Sequence, residues 1–474
     1  MSHQTQPKTE DYDLIIVGSG SGNSLITDEW ADRRVAIVDG GVFGGTCLNV
    51  GCIPTKMYVY PSATAQHGLE LDRLGVGMER TEVSWPAIRD RVFGRIDAIS
   101  RGGLEYREGL PNVDVYAEYA RLVEPRVLET ASGARLRGEQ IVFAAGSRSV
   151  LPEIPGIELE GVHTSDTVMR LEELPRDVVI LGGGFIAAEF AGIFTGLGSR
   201  VIQVNRSGRA LRDHDAEIAA RYVREAGRRW DLRMNTQIGR IERAGERLAV
   251  TLDAEGGEET VEADVVLVAT GRRSNVDLLG AEEAGLDVVD GVLAADRHQR
   301  VLSGGEPVPG LWALGDVSSR TQLKHLANAQ ARTVSHNLLH PEDLESTDER
   351  YVPHAVFTTP QIAAVGLTEE EAARDAALGD YEIAIKVQDY GDVAYGWAME
   401  DHEGFVKLIA RRDTGELLGA HIIGTEASNL IQPLIQAMSF GLTAHRMARG
   451  QFWIHPALAE VVENALLGLE VPGN

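Results

Sequence analysis

Several times along this chain a short, unbroken apolar run stops abruptly at a glycine. Leu14–Val17 runs into Gly18, and Val178–Leu181 runs into Gly182. "IVFAAGSR" (Ile141–Arg148), "VVLVATGRRSN" (Val265–Asn275) and "GLWALGDV" (Gly310–Val317) repeat the form. Short apolar runs bounded by turn residues predict strands buried on both faces, as in a parallel sheet. The first two are each followed by a Gly-rich turn, a predicted helix and a second apolar strand, Val35–Val38 and Val201–Val204. That rhythm predicts α/β architecture. From about residue 348 the pattern changes. Strand-like runs at Glu382–Val387 and Phe405–Ala410 precede helical patterns at Ser428–Phe440 and Leu458–Leu467, an α+β segment. At 474 residues the chain is too long for one core and predicts roughly two to four domains. No apolar run approaches the ~18 residues that cross a bilayer.

The two glycine turns match a dinucleotide fingerprint. In the first, Gly18 and Gly20 open the turn, and Asp39 ends the second strand, where an acid accepts ribose hydroxyls. The third position of G-x-G-x-x-G is Asn23, with Gly22 one place earlier, so helix–strand packing there must tolerate a side chain. In the second copy Gly182, Gly184 and Ala187 fill the pattern, and the strand after it ends at Asn205 where an acid would favour NAD. Arg206, Arg209 and Arg212 follow at once, and arginines there accommodate the 2′-phosphate of NADP. Two such modules predict two dinucleotides, FAD and NADPH. Asp316, at the carboxyl end of a strand, is placed to bind a polar chain such as a ribityl.

Charge and cysteine content narrow the chemistry. A net charge of −26 argues against binding nucleic acid, which requires a basic face. The start of the chain, "MSHQTQPKTEDYD", is polar and acidic rather than a signal peptide, so the expected location is cytoplasmic. The only two cysteines, Cys47 and Cys52, share the stretch "GGTCLNVGCIPTK". In a reducing compartment so close a pair is redox-active or metal-binding rather than a staple. With no nearby histidine the pair lacks metal ligands, and redox remains. Residues five apart in a regular helix are ~7.5 Å apart along the axis and turned ~140° from each other, so they cannot bridge. Cys47 is therefore expected in or before an irregular first turn, with a helix N-terminus lowering the thiol pKa. A dithiol needs a flavin as hydride relay and a base to move protons. His455, in "FWIHPALAEVVENALLG", is the candidate base, with Glu460 to orient its ring and Pro456 predicting a helix start.

Together "GGTCLNVGCIPTK", "GGGFIAAE", "ATGR", "ALGD" and "HP…E", in this order, resemble the pyridine nucleotide–disulfide oxidoreductases over nearly the whole chain. This is the flavoprotein group of glutathione reductase and dihydrolipoyl dehydrogenase. The resemblance implies two Rossmann-like dinucleotide-binding domains plus a C-terminal α+β dimerisation domain. Their expected ranges are residues 1–155 and 276–347 for FAD, 156–275 for NADPH, and 348–474 for the interface. It implies that Cys52 lies against the flavin and Cys47 attacks substrate. His455 and Glu460 would act on the opposite subunit of an obligate homodimer. Lys56 would pair with Glu189 near the reacting edge of the flavin, and Phe185 would gate the nicotinamide pocket. Arg206 and Arg212 would hold the 2′-phosphate. Gly45, Thr46 and Gly146 would touch FAD, and Gly271 would touch NADPH. No metal site is implied.

The expected reaction is NADPH-dependent reduction of a low-molecular-weight disulfide. The chain end, "GLEVPGN", has no further cysteine pair. The segments "GSGSGNS", "CIPTKMYVY", "LKHLANAQART", "QDYGDVAYGWAMED" and "HPALAEVVENALLGL" are similar to those of family members that act on mycothiol disulfide (mycothione). Tyr390, Tyr395 and Trp397 of the fourth segment could equally be core. Two alternatives are an NAD-dependent dihydrolipoyl dehydrogenase, against which Asn205 and Arg206 speak, and a non-catalytic dimeric flavoprotein.

Overall fold

A computed structural model describes residues 9–473. The polar start of the chain, residues 1–8, lies outside it. The chain divides into two units. Of the described residues, the first comprises 9–55, 87–150 and 272–349, and the second 56–86, 151–271 and 350–473. Residues 56–86, read from the sequence as part of the first FAD segment, group with the second unit.

The first unit is built on an eight-stranded sheet. Its main path runs Arg300–Ser303, Glu306–Ala313, Arg135–Phe143, Thr9–Val17, Val35–Val38, Val113–Tyr116. The five strands from Glu306–Ala313 onward are mutually parallel. Both faces of Thr9–Val17 are covered: Ile15 and Val17 enter one apolar cluster, Leu14 and Ile16 the other. This two-sided burial accounts for the unbroken apolar runs.

One expected element is absent. Between Val17 and Val35 the first fingerprint leads not into an α-helix but into two 3-10 turns, Gly22–Leu25 and Asp28–Trp30. Ser24 Oγ competes locally for a backbone group, donating to Ser21 O (2.7 Å). The second unit contains the expected helix: Asp177–Leu181, helix Phe185–Leu197, then strand Arg200–Asn205. These belong to a five-stranded parallel sheet, ordered Asp231–Met234, Arg200–Asn205, Asp177–Leu181, Val265–Val268, Val162–Thr164.

A separate five-stranded antiparallel sheet carries the C-terminal part of the second unit. Its order is His354–Val356, Gln361–Gly366, Leu417–Gly424, Phe405–Arg411, Ile383–Asp389. Helices Gln432–Ser439, Ala444–Arg449 and Ala459–Leu467 contribute to its core. The last begins three residues after Pro456, not at it. Tyr390 is fully buried, and a Cβ on Gly404 or Gly424 would stand 2.8 or 2.6 Å from its ring. Tyr395 and Trp397 are exposed, so only one of the three aromatics is core. Among the described residues no helix is long and apolar enough to cross a membrane.

Candidate active site

The cysteine stretch folds as two helical pieces. Cys47 lies within the short helix Gly45–Asn49, and Cys52 is the first residue of the long helix Cys52–Leu69. The break at Val50–Gly51 lets Cys52 depart from the first helical axis, as a bridge between residues five apart requires. Gly51 is tightly enclosed: a Cβ there would meet Thr46 O at 2.9 Å. Asn49, buried, fixes the preceding turn by donating Nδ2 to the carbonyls of Val42, Phe43 and Gly45 at 2.9–3.2 Å. Cys47 and Cys52 are not joined by a disulfide in the structure. The hydrogen bond to Cys52 and burial push the Cys47 thiol well above the ordinary range, against the pull of Lys324. The lowered pKa expected from the sequence is thus reversed at Cys47, because the bond to Cys52 and burial outweigh the pull of Lys324. Lys324 Nζ donates to Ser21 Oγ (2.8 Å).

Around the first fingerprint, backbone segments approach too closely for side chains. A Cβ on Gly18 (φ +109°) would lie 2.2 Å from Ala144 O, and one on Gly45 (φ +72°) 2.7 Å from Gly20 Cα. Asp39 accepts from Ser19 N (2.7 Å), Ser19 Oγ (2.5 Å) and Gly41 N (2.8 Å), and Ser19 Oγ accepts from Gly44 N (2.8 Å). Ser19 thus ties the acid of the fingerprint to the cysteine loop. Gly146 (φ +68°) faces open space. Beside it Asp316 Oδ2 accepts from Ser147 Oγ (2.6 Å), which also accepts from Arg272 Nε (3.0 Å). A tight backbone cradle with an acid at the strand end fits a flavin dinucleotide.

In the second unit Gly184 caps the helix Phe185–Leu197 and faces open space, as does Gly271 (φ +130°). Phe185 is half-exposed at the first turn of this helix, and Ala187 is fully buried against the strand layer. Asn205 is buried, and its Nδ2 donates to Ser207 O (2.9 Å), Ser207 Oγ (3.2 Å) and Arg209 O (3.1 Å). The residue that replaces the expected acid therefore shapes the arginine loop. Arg206 and Arg212 are exposed on it, while Arg209 Nη2 turns back to His214 O (2.6 Å). An open helix N-terminus beside exposed arginines fits a phosphorylated pyridine nucleotide.

Lys56 Nζ donates to both carboxylate oxygens of Glu189 at 2.7 Å and lies 4.7 Å from the centre of the Phe357 ring. Glu189 is 3% exposed and also accepts from Phe357 N (3.0 Å). Lys56 stands one helical turn after Cys52 on the same helix. His455 Nδ1 lies 2.6 Å from Glu460 Oε1, and Glu460 Oε2 accepts from Ala457 N (3.2 Å). The hydrogen bond to His455 holds the Glu460 carboxyl below the usual carboxylate range. His455 itself is exposed, as are Phe452 and Ile454 beside it. Ser19, Asn49, Lys324 and Arg272 were not among the residues singled out by sequence. Lys324 and Arg272 act through contacts more than a hundred residues along the chain, whereas Asn49 acts within its own turn.

Residues 12–332 match the family described as pyridine nucleotide-disulphide oxidoreductase, and residues 352–466 match the dimerisation domain of that family. The chain belongs to this family of FAD-dependent enzymes that use NADPH. Mycothione reductase of Mycobacterium tuberculosis is 54% identical over 471 residues, 97% of this chain and 100% of that protein. Glutathione reductase of Nostoc is 32% identical, covering 95% of this chain and 98% of that protein. Among solved structures, the HOCl-induced flavoprotein disulfide reductase RclA from Escherichia coli superposes with a TM-score of 0.82 at 27% identity. It covers 96% of this chain and 100% of RclA. The chain is accordingly an NADPH-dependent flavoprotein disulfide oxidoreductase with a glutathione reductase-like fold.

Proposed function

We propose that this protein reduces mycothione to two molecules of mycothiol in the cytoplasm, as a homodimer whose active sites are shared between subunits. The observation that carries the reading is the 54% identity over 97% of the chain to a mycothione reductase. It is supported by an intact set of Cys47, Cys52, Lys56, Glu189, His455 and Glu460.

Bound FAD supplies a two-electron relay between NADPH and the cysteine pair. Gly18, Gly20, Asn23, Asp39, Gly45, Thr46, Gly146 and Asp316 are the residues that would hold it. Gly182, Gly184, Phe185, Ala187, Arg206, Arg212 and Gly271 would hold NADPH. Lys56, fixed by buried Glu189, is the cation that would steady charge on the bound flavin. In the dithiol form Cys47 keeps its proton, so a base has to remove it before attack. His455, with its ring oriented by Glu460, takes that proton in the opposite subunit. The Cys47 thiolate then attacks one sulfur of the substrate disulfide. A mixed disulfide forms, and the leaving thiolate takes the proton from His455. Cys52 then loses its proton to solvent and attacks the Cys47 sulfur, which closes the Cys47–Cys52 disulfide and expels the second thiolate, and this thiolate takes up a proton from solvent. Two protons leave the dithiol and two thiols are formed.

NADPH oxidation with mycothione, oxidised glutathione and lipoamide tests the substrate. Rapid turnover with mycothione and slow turnover with the others is expected, and a preference for lipoamide would overturn the reading.

A further inference from the structure

The two fingerprints leave their strands alike and then diverge. After Gly184 the chain enters a 13-residue helix, in which Ala188 N donates to Gly184 O (3.1 Å). After Gly20 it makes only short 3-10 turns. In an α-helix the carbonyl of residue i is taken by the N–H of residue i+4. Here the carbonyls of Asn23 and Ile26 receive donors from a distant side chain. Arg107, in the last turn of helix Trp85–Glu108, donates Nη2 to Asn23 O (2.8 Å) and Ile26 O (3.3 Å), and Nε to Asn23 Oδ1 (2.8 Å).

Arg107 is 9% exposed and, among the described residues, pairs with no carboxylate. Burying a cation without a counter-ion is costly unless fixed dipoles replace its water. The two turn carbonyls and the negative end of its own helix do so here. A guanidinium presents donors in a rigid planar fork that a lysine lacks, which suits it to gripping one asparagine through both backbone and side chain. Asn23 stands where the fingerprint departs from its third glycine.

We propose that Arg107 is a positioning residue for FAD: clasped to Asn23 and Ile26, it holds the glycine turn in its binding shape where no helix does so. The departure at Asn23 is then the partner of the clasp. This rests on the Gly18–Asp39 site being the one that takes FAD.

The test is titration of FAD into deflavinated full-length protein, followed by flavin fluorescence, with NADPH binding to the same preparations measured separately. Wild type is compared with Arg107→Met, Arg107→Lys, Asn23→Ala, the Arg107→Met/Asn23→Ala pair and Asp39→Ala. Loss of a charge-assisted grip predicts FAD binding about tenfold weaker or more in Arg107→Met. Arg107→Lys recovers part of the loss, the pair is no weaker than Arg107→Met alone, and NADPH affinity is unchanged. FAD affinity of Arg107→Met within about twofold of wild type overturns the proposal, as does a parallel fall in NADPH affinity, which marks general unfolding. Should Arg107→Met fail to fold, Asn23→Ala and Arg107→Lys decide by the same criteria. Unchanged FAD affinity in Asp39→Ala rejects the placement of FAD itself, whereas a loss there with none at Arg107 rejects only the clasp.

Discussion

Removing Arg206 and Arg212 together should convert an NADPH-selective protein into an unselective one. Both guanidiniums are exposed, and the loop that carries them is shaped by Asn205, whose amide donates to Ser207 and Arg209. Cutting the two side chains to alanine removes only the long Arg212 Nε–Ser207 Oγ bond (3.3 Å) from the loop and leaves the three Asn205 contacts in place. A hydrogen bond to a charged group contributes about 1.5–3 kcal/mol, and solvent exposure places these two at the lower end. Two such losses amount to about 3 kcal/mol, or roughly a 100-fold fall in kcat/KM for NADPH. NADH lacks the 2′-phosphate, so its kcat/KM should change by less than about threefold. Initial rates of disulfide reduction with each nucleotide measure both. Raising the salt concentration should weaken NADPH in wild type but not in the double variant, because only the former relies on exposed charge. An equal fall for NADH and NADPH would refute the reasoning. Asn205→Asp sharpens the point: aspartate cannot donate, so the loop loses its three amide contacts. NADPH use should fall without a compensating gain with NADH.

Four further outcomes follow from the geometry. Lys407 and Asp215 are each 1% exposed and form an ion pair of 3.0 Å, with Glu217 and Glu369 also reaching the ammonium. Lys407→Met should destabilise the protein by about 3–5 kcal/mol in urea unfolding, with partial recovery on adding Asp215→Asn. Burial pushes the Asp215 carboxyl up, but the Glu369 N–H and Lys407 hold it below the usual range. Its contribution is therefore full above the unfolded value near ~3.9 and is lost as pH falls through the lower folded value, which an acid-unfolding scan will show. His455→Ala should slow disulfide reduction by about 10²–10⁴-fold, measured as NADPH oxidation with mycothione, and leave quinone reduction largely intact. Gly45→Ala should lose FAD on gel filtration, because its Cβ would stand 2.7 Å from Gly20 Cα at a φ of +72°.

Local pattern carried much of this fold. Unbroken apolar runs ending in glycine placed Leu14–Val17 and Val178–Leu181, because strands buried on both faces need no polar alternation. The helix expected after Gly20 failed because polar side chains and Arg107 took the bonds a helix would have used. Arg107 lies 84 residues from Asn23. The rise in the Cys47 pKa was hidden for a related reason: it depends on burial and on the bond to Cys52, and spacing alone left Cys47 in or before an irregular turn. Lys407 and Asp215 are 192 residues apart, and no periodicity marks a lysine in an otherwise apolar strand as paired. Asn205 was legible as a missing acid but not as the anchor of the arginine loop. Long-range polar contacts leave no repeating signal, so the scaffold is easier to read than the groups that tune it.

Under the proposed function, electrons reach the substrate only through the cysteine pair. Cys47→Ser, purified with FAD bound, should lose NADPH oxidation with mycothione while retaining NADPH oxidation with a quinone acceptor. Retained mycothione reduction, or loss of both activities with FAD still in place, would contradict that route.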